Sequence, residues 1–234
     1  MTPDFQSTSI NDRINRTLSR VNYSEHLECA YCQTFLNKNY LPQNPWDYVI
    51  ESGTNYVIVP SKGALLSGWL LVVGTKHHLS RASMTLHEFA AFEVGIQQAC
   101  AIVQAKFGPA TLFESGPSYK GTSIGCGIDH VHVHVLPLQF SLGEATRRIF
   151  TDINWVSCKG FRQLQDLHTL GKPYYYIKEP DRDPLYTIPT VRTSQLLRKV
   201  IAAETGQTDL WDYSRYCGKS NARQTLKAVL QSKL

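Results

Sequence analysis

Three histidines alternate with valines in the stretch Gly127-Ile128-Asp129-His130-Val131-His132-Val133-His134-Val135-Leu136-Pro137. At the two-residue period of a β-strand, all three imidazoles point to one face and the valines to the other, where a core would bury them. An ordinary polar strand face is served by Thr, Ser or Lys. Three imidazoles in a row suit the binding of a metal, a phosphate or each other. A second cluster lies nearer the N-terminus, where Cys29-Ala30-Tyr31-Cys32 sets two thiols at the spacing of a metal half-site or a redox pair. His77 or His78, together with His130, are the candidates for the other half of a metal site. Just before the histidines, Ser115 to Gly127 contains four glycines among small polar residues. Such a loop lets backbone amides approach phosphate oxygens closely.

The elements that must position these groups follow from hydrophobic periodicity. Trp46–Glu51 and Tyr56–Pro60 read as a hairpin around the turn residues Ser52-Gly53-Thr54-Asn55. Trp69–Gly74 is a continuous apolar run, expected as a central strand. Ser83–Phe107 is the clearest helix: Thr85 with Glu88 forms a capping box, and Phe89, Phe92, Ile96, Ala99 and Val103 share one face. Gly108-Pro109 ends it. Ala110–Glu114 is the strand expected to pair with the histidine strand. Beyond Pro137, a helix is expected over Trp155–Leu167 and a strand over Tyr174–Lys178. Two more helices are expected, one over Thr193–Ala202 capped by Thr193 or Ser194, the other over Asn221–Leu230. Asn11–Arg20 fits a short helix. His87 and His168 stand apart from the pattern and are given no chemical role.

The 234 residues are 42% hydrophobic and 18% charged, which suits a globular chain with a sizeable core. With a polar N-terminus and no apolar run of membrane-spanning length, neither a signal peptide nor a membrane helix is expected, and six cysteines without a secretory signal point to a reducing compartment, so the chain is expected in the cytoplasm. The net charge of +5 is uneven: residues 1–140 carry 9 Lys/Arg against 10 Asp/Glu, and residues 141–234 carry 15 against 9. The basic C-terminal half suits an anionic substrate, a polyphosphate or a nucleic acid.

The triplet His130, His132, His134, followed by Val135-Leu136-Pro137, resembles the motif of the histidine triad (HIT) family of nucleotide hydrolases and transferases. The resemblance implies an α+β fold, a mostly antiparallel HIT-like sheet with the long helix packed on it. Residues 1–140 would form this domain, and residues 141–234 an α-rich C-terminal extension that covers or shapes the active site. It also implies that His132 attacks a nucleotide's α-phosphate and carries the nucleotidyl group, with His134 donating a hydrogen bond to a phosphoryl oxygen. The His130 carbonyl would set the tautomer of His132. Cys29, Cys32, His77 and His130 would hold a structural zinc.

Ser61 falls at the position that contacts the ribose, where the family often has Asp or Asn, and Gly74-Thr75 stands where Pro-Lys is usual. Gly125, Cys126 and Gly127, helped by Ser123 or Lys120, would cradle the α-phosphate through backbone donors. Tyr175, Lys178, Gln195, Arg198 and Lys199 are candidates for leaving-group contacts. The expected substrate is a nucleotide or dinucleotide, split as a dinucleoside polyphosphate or a nucleoside phosphoramidate. The competing activities are nucleotidyl transfer or phosphorolysis, removal of adenylate from nucleic-acid ends, and nucleotide or RNA binding without turnover. The resemblance implies either a two-fold homodimer or a monomer whose tail occupies the dimer face.

Overall fold

The computed structural model describes residues 29–36, 41–124, 127–190 and 193–231. The expected helix over 11–20 lies outside them. The β-branched and aromatic runs form one eight-stranded sheet in which every pairing among the described residues is antiparallel. In chain order the strands are β1 (Glu51–Ser52), β2 (Tyr56–Pro60), β3 (Leu70–Gly74), β4 (Thr111–Gly116), β5 (His132–Leu136), β6 (Val156–Ser157), β7 (Tyr174–Lys178) and β8 (Leu185–Thr187). Across the sheet they run β1-β2-β3-β5-β4-β7-β8-β6, so the histidine strand β5 is internal. The helices are α1 (Ala30–Leu36), α2 (Leu86–Lys106), α3 (Leu142–Ile149), α4 (Phe161–Thr169), α5 (Leu196–Glu204) and α6 (Lys219–Leu230). The α+β class and the antiparallel sheet carrying the long helix are as expected.

The two faces of β5 are buried by different parts of the chain. Val131, Val133 and Val135 pack against Phe92, Ile96, Ala99 and Val103 of α2. Burying each such valine stabilises the fold by roughly 1.5–3 kcal/mol. Helix α2 begins at the capping box read from the sequence, with the Glu88 amide donating to the Thr85 hydroxyl and the Glu88 carboxylate accepting from the Thr85 amide. On the histidine face, α3 and α5 cover Trp69, Phe113, Tyr175 and Ile177. Helix α1 covers Val57, Val59, Leu71 and Val73 through Cys32 and Phe35.

Three expected elements differ. Pro45–Asp47 is a 3-10 turn and only Glu51–Ser52 remains of the first hairpin strand. Pro45 lacks an amide for a ladder, and the Asp47 carboxylate accepts from the amides of Gln43 and Asn44 at 3.2 and 2.9 Å. Within 155–167, Val156–Ser157 joins the sheet against β8 and the helix starts only at Phe161, its approach fixed by the Lys159 amide donating to the Gln163 side chain. Helix α5 starts at Leu196 without a side-chain cap from Thr193 or Ser194; Gln195 precedes it at φ 55° and the Thr193 carbonyl accepts from the Tyr175 hydroxyl.

The described residues beyond 140 supply four helices and also three strands of the same sheet. Strand β7 pairs with β4 over five residues. A buried network reinforces this seam: the Arg81 amide and Nε donate to the Glu114 carboxylate at 2.8 and 3.0 Å, and the Tyr174 hydroxyl donates to it at 2.8 Å. Burial pushes the Tyr174 hydroxyl's pKa up and the neighbouring carboxylate adds to it, so the phenol keeps its proton.

Candidate active site and metal centre

Alternation places His132 and His134 on the same face, opposite Val73 and Leu71 of β3, while His130 precedes the strand. All three are buried. Each ring has a different partner, and the partner dictates which nitrogen carries the proton. His130 Nε2 lies 2.7 Å from the Gly74 carbonyl, which can only accept, so Nε2 is protonated and Nδ1 offers a lone pair. His132 Nδ1 lies 2.7 Å from the His130 carbonyl, so there Nδ1 is protonated and Nε2 is left with the lone pair. His134 Nδ1 accepts at 3.0 Å from the Trp69 indole, which can only donate, so the neutral ring carries its proton on Nε2. Burial, then the charges of His132 and Arg198, hold the His134 pKa well below the ordinary histidine value, which keeps that ring neutral. Phe113 stacks flat on it at 4.2 Å.

The freed Nδ1 of His130 faces the thiols. It lies 3.4 Å from Cys29 Sγ and 3.6 Å from Cys32 Sγ, and His77 Nδ1 lies 3.4 Å from Cys32 Sγ. The four donor atoms lie within 4.8 Å of one another, so the cluster can hold a metal ion. Of the two candidate histidines after β3, His77 is the one in the cluster; His78 Nε2 turns to Glu88 at 3.4 Å. The paired sulfurs share charge unequally. A hydrogen bond from Cys32 brings the Cys29 pKa down to about 3 against the opposing effect of burial, with His130 assisting, while Cys29 pushes Cys32 up. Gly74, the first residue of the Gly74-Thr75 pair that stands against Pro-Lys, has a packing reason. A Cβ there would lie 2.5 Å from Val131 Cγ1, so a larger residue would have to displace the segment whose carbonyl meets His130.

His132 and His134 line a cavity of about 340 Å³, within the range of small-ligand pockets. Its aromatic wall consists of Tyr31 and Phe35 of α1, Trp46 and Tyr213, and its polar lining includes Ser61, Lys62 and Arg198. Helix α1 thus follows Cys29, carries Cys32 and forms part of the cavity wall. Of the residues expected to meet substrate, Ser61 is buried in the lining. Gly125 and Cys126 lie outside the described residues. Ser123 and Gly127 are exposed on the loop before β5, of which Ile128 lines the cavity. Tyr175 and Gln195 are buried, and Tyr175 is committed to Thr193. Lys178 lies in β7, its Nζ donating to the Glu179 carbonyl, and Lys199 lies over the Trp211 ring at 4.3 Å.

The loop after β2 is held by the C-terminal half through four consecutive carbonyls. Those of Lys62, Gly63, Ala64 and Leu65 accept from the Gly218 amide at 2.8 Å, Arg198 Nη2 at 2.6 Å, Asn221 Nδ2 at 3.0 Å and Gln207 Nε2 at 3.1 Å. The approach at Gly218 is backbone on backbone: a Cβ there would meet the Ala64 carbonyl oxygen at 1.9 Å. These donors, and the roles of Trp69 and Gly74, were not read from the sequence. Each depends on contacts between segments distant in the chain, and only the glycine in place of Pro-Lys hinted at one of them.

Fold and site together define an α+β protein that carries strand-borne histidines beneath a covered cavity, with a metal-competent cluster at one end of the strand. No family model matches the chain, and no curated protein matches it. Among solved structures it is similar to a Hit-like protein involved in cell-cycle regulation from Bartonella henselae, at 13% identity and a TM-score of 0.36 over 47% of this chain and 76% of that one. It is also similar to a hypothetical histidine triad nucleotide-binding protein from Sulfolobus tokodaii, at 17% identity and a TM-score of 0.32 over 53% and 82% of the two chains. A third is yeast Ap4A phosphorylase in complex with AMP, at 10% identity and a TM-score of 0.35 over 72% and 74%. Among the described residues no helix is long and apolar enough to cross a membrane.

Proposed function

We propose that the protein is a nucleotide hydrolase that acts at an α-phosphate through a transient nucleotidyl group on His132. The observation that carries this reading is the pair of opposite tautomers on the cavity's edge. The His130 carbonyl holds the proton of His132 on Nδ1, and the Trp69 indole holds that of His134 on Nε2. One ring therefore carries its lone pair on Nε2, as a nucleophile needs, and its neighbour, 5.1 Å away between centroids, carries an N–H there. His132 Nε2 attacks phosphorus and the bond to the leaving group breaks. His134 Nε2–H donates to a non-bridging oxygen. Water then attacks the phosphorus, the P–N bond breaks, and the mononucleotide leaves with His132 restored.

In this reading Ser61 meets the ribose, Ser123 and the backbone of Gly125, Cys126 and Gly127 meet the phosphate, and the aromatic wall stacks on the base. The C-terminal half shapes the site by fixing the loop from Lys62 to Leu65. Cys29, Cys32, His77 and His130 would hold zinc. A tetrahedral zinc with two sulfur and two nitrogen ligands separates S from N by about 3.6 Å, which the 3.4–3.6 Å separations here suit. The bond from His130 to Gly74 orients that ligand. The metal would act as a cross-link that pins α1 to β3 and β5.

The test is to incubate the protein, with His132→Ala in parallel, with diadenosine tetraphosphate, an adenylyl-lysine, UDP-glucose and adenylated DNA, and to separate the products. Mononucleotide released by the unmodified protein alone is the expected result. Turnover that requires added phosphate or a sugar phosphate makes it a transferase instead. Nucleotide binding without any turnover makes it a binding module.

A further inference from the structure

Besides the histidines, the described residues lining the cavity include two basic groups, Lys62 and Arg198. Lys62 is exposed, whereas Arg198 is 1% exposed. Arg198 lies in the first turn of α5, whose neighbouring Leu197, Val200 and Ile201 are locked in the core, so its stem cannot drift. Its guanidinium is fixed from several sides. Nε donates to the Trp211 carbonyl at 3.0 Å, Nη2 donates to the Gly63 carbonyl at 2.6 Å, and Cζ lies 4.8 Å from the centre of the Trp69 ring and 5.8 Å from that of Tyr213. Trp69 is the ring that donates to His134. A delocalised cation is therefore held within one aromatic ring of the reacting histidines, facing the same cavity, by a region outside the triad.

We propose that Arg198 is a specificity residue that binds a second phosphate of the substrate, beyond the one at which His132 reacts. This inference rests on the nucleotide reading above and narrows it: the group displaced, or retained, next to the α-phosphate is itself a phosphate rather than an amine. A guanidinium suits this task because it stays charged when buried and carries five N–H donors, more than the two given to the Trp211 and Gly63 carbonyls. Burial weakens the solvent screening that would otherwise cheapen the contact. Its orientation is set before substrate arrives, so little freedom is lost on binding.

The experiment measures calorimetric affinities for AMP and ADP on the full chain carrying His132→Ala, which cannot turn over, with and without Arg198→Gln. ADP is expected to bind at least about tenfold more tightly than AMP. In Arg198→Gln the two affinities should come within a factor of about two of each other, and this ratio is the readout because any loss through the Gly63 carbonyl that Arg198 holds is shared by both nucleotides. Equal binding of ADP and AMP by the protein that retains Arg198 overturns the proposal, and this arm needs no Arg198 variant to fold. A preference for ADP that survives Arg198→Gln overturns it as well. Failure of the hydrolase reading is distinguishable, because it appears as absent product from the unmodified protein and leaves the ADP-to-AMP ratio untouched.

Discussion

The two ends of the histidine strand use one residue type for opposite purposes. At the start, His130 turns Nδ1 into a cluster with Cys29, Cys32 and His77, among groups that a metal would draw together. Two and four residues on, His132 and His134 line a cavity walled by aromatic rings. Alternation alone sets all three on one side of the chain. What separates them is the neighbour each ring meets: an accepting carbonyl on β3, the accepting carbonyl two residues back along the chain, and a donating indole. An imidazole's chemistry here is thus decided by which of its nitrogens the backbone or a tryptophan has already claimed.

The largest expected effect separates the ends directly. His132→Ala should lower mononucleotide release by at least about a thousandfold, while thermal stability changes by no more than about 1–2 kcal/mol. His130→Ala should do the reverse first: bound metal, measured by elemental analysis, falls away, and stability drops by about 3 kcal/mol or more, roughly 6–12 °C in Tm. If the two variants lose metal and stability alike, the division between the ends is wrong.

A smaller break targets the indole. Trp69→Phe keeps the ring that packs on Phe113 and removes the donor to His134. With Nδ1 unclaimed, the ring can take either tautomer, so the donor facing the phosphate is present only part of the time. Turnover should fall by about 10- to 100-fold, with stability lower by about 1–2 kcal/mol for the unsatisfied nitrogen. Nitrogen chemical shifts of His134 should move from one tautomer to a mixture. A variant that turns over normally removes Trp69 from the mechanism.

How much of this was legible before the structure depends on how local each signal is. The strand's alternation, the Cys-x-x-Cys spacing and the capping box of α2 are patterns within a few residues, and all three reappear in the fold. Spacing alone leaves His77 against His78 open, because the choice turns on how the chain leaves β3; the family resemblance names His77. Trp69 reads as one more apolar residue in a buried strand; its indole matters only once β3 lies beside β5. In sequence Arg198 is one of five candidates for leaving-group contacts, with nothing to set it apart, for its bond to Gly63 spans 135 residues. The misread strand at 46–50 and helix at 155–160 are segments whose form is set by Asp47 accepting two amides and by the pull of β8, neither a matter of periodicity.

The smallest effect sharpens the comparison at the metal end. Glu88 caps α2 and also reaches the turn that delivers His77, with Lys76 Nζ at 2.7 Å and His78 Nε2 at 3.4 Å. Burial by itself would raise its pKa, but the Lys76 ammonium and the amide and hydroxyl of Thr85 outweigh it and hold the carboxyl at about 2, below the ordinary 4.5. Since the folded value is the lower one, the carboxylate's contribution is fully present above about pH 4.5 and is lost as pH falls through about 2. Glu88→Gln retains a capping side chain but no charge, so it should cost only about 1 kcal/mol near neutral pH. That difference from the unmodified protein should shrink steadily as the pH falls from about 4.5 towards 2, by urea unfolding of both chains across that window. The cavity end should not respond: nucleotide affinity in the His132→Ala background should be the same with Glu88 or Gln at neutral pH. A change in affinity there would mean that the turn carrying His77 transmits strain through α1 to the aromatic wall, and that the two ends of the strand are coupled rather than merely adjacent.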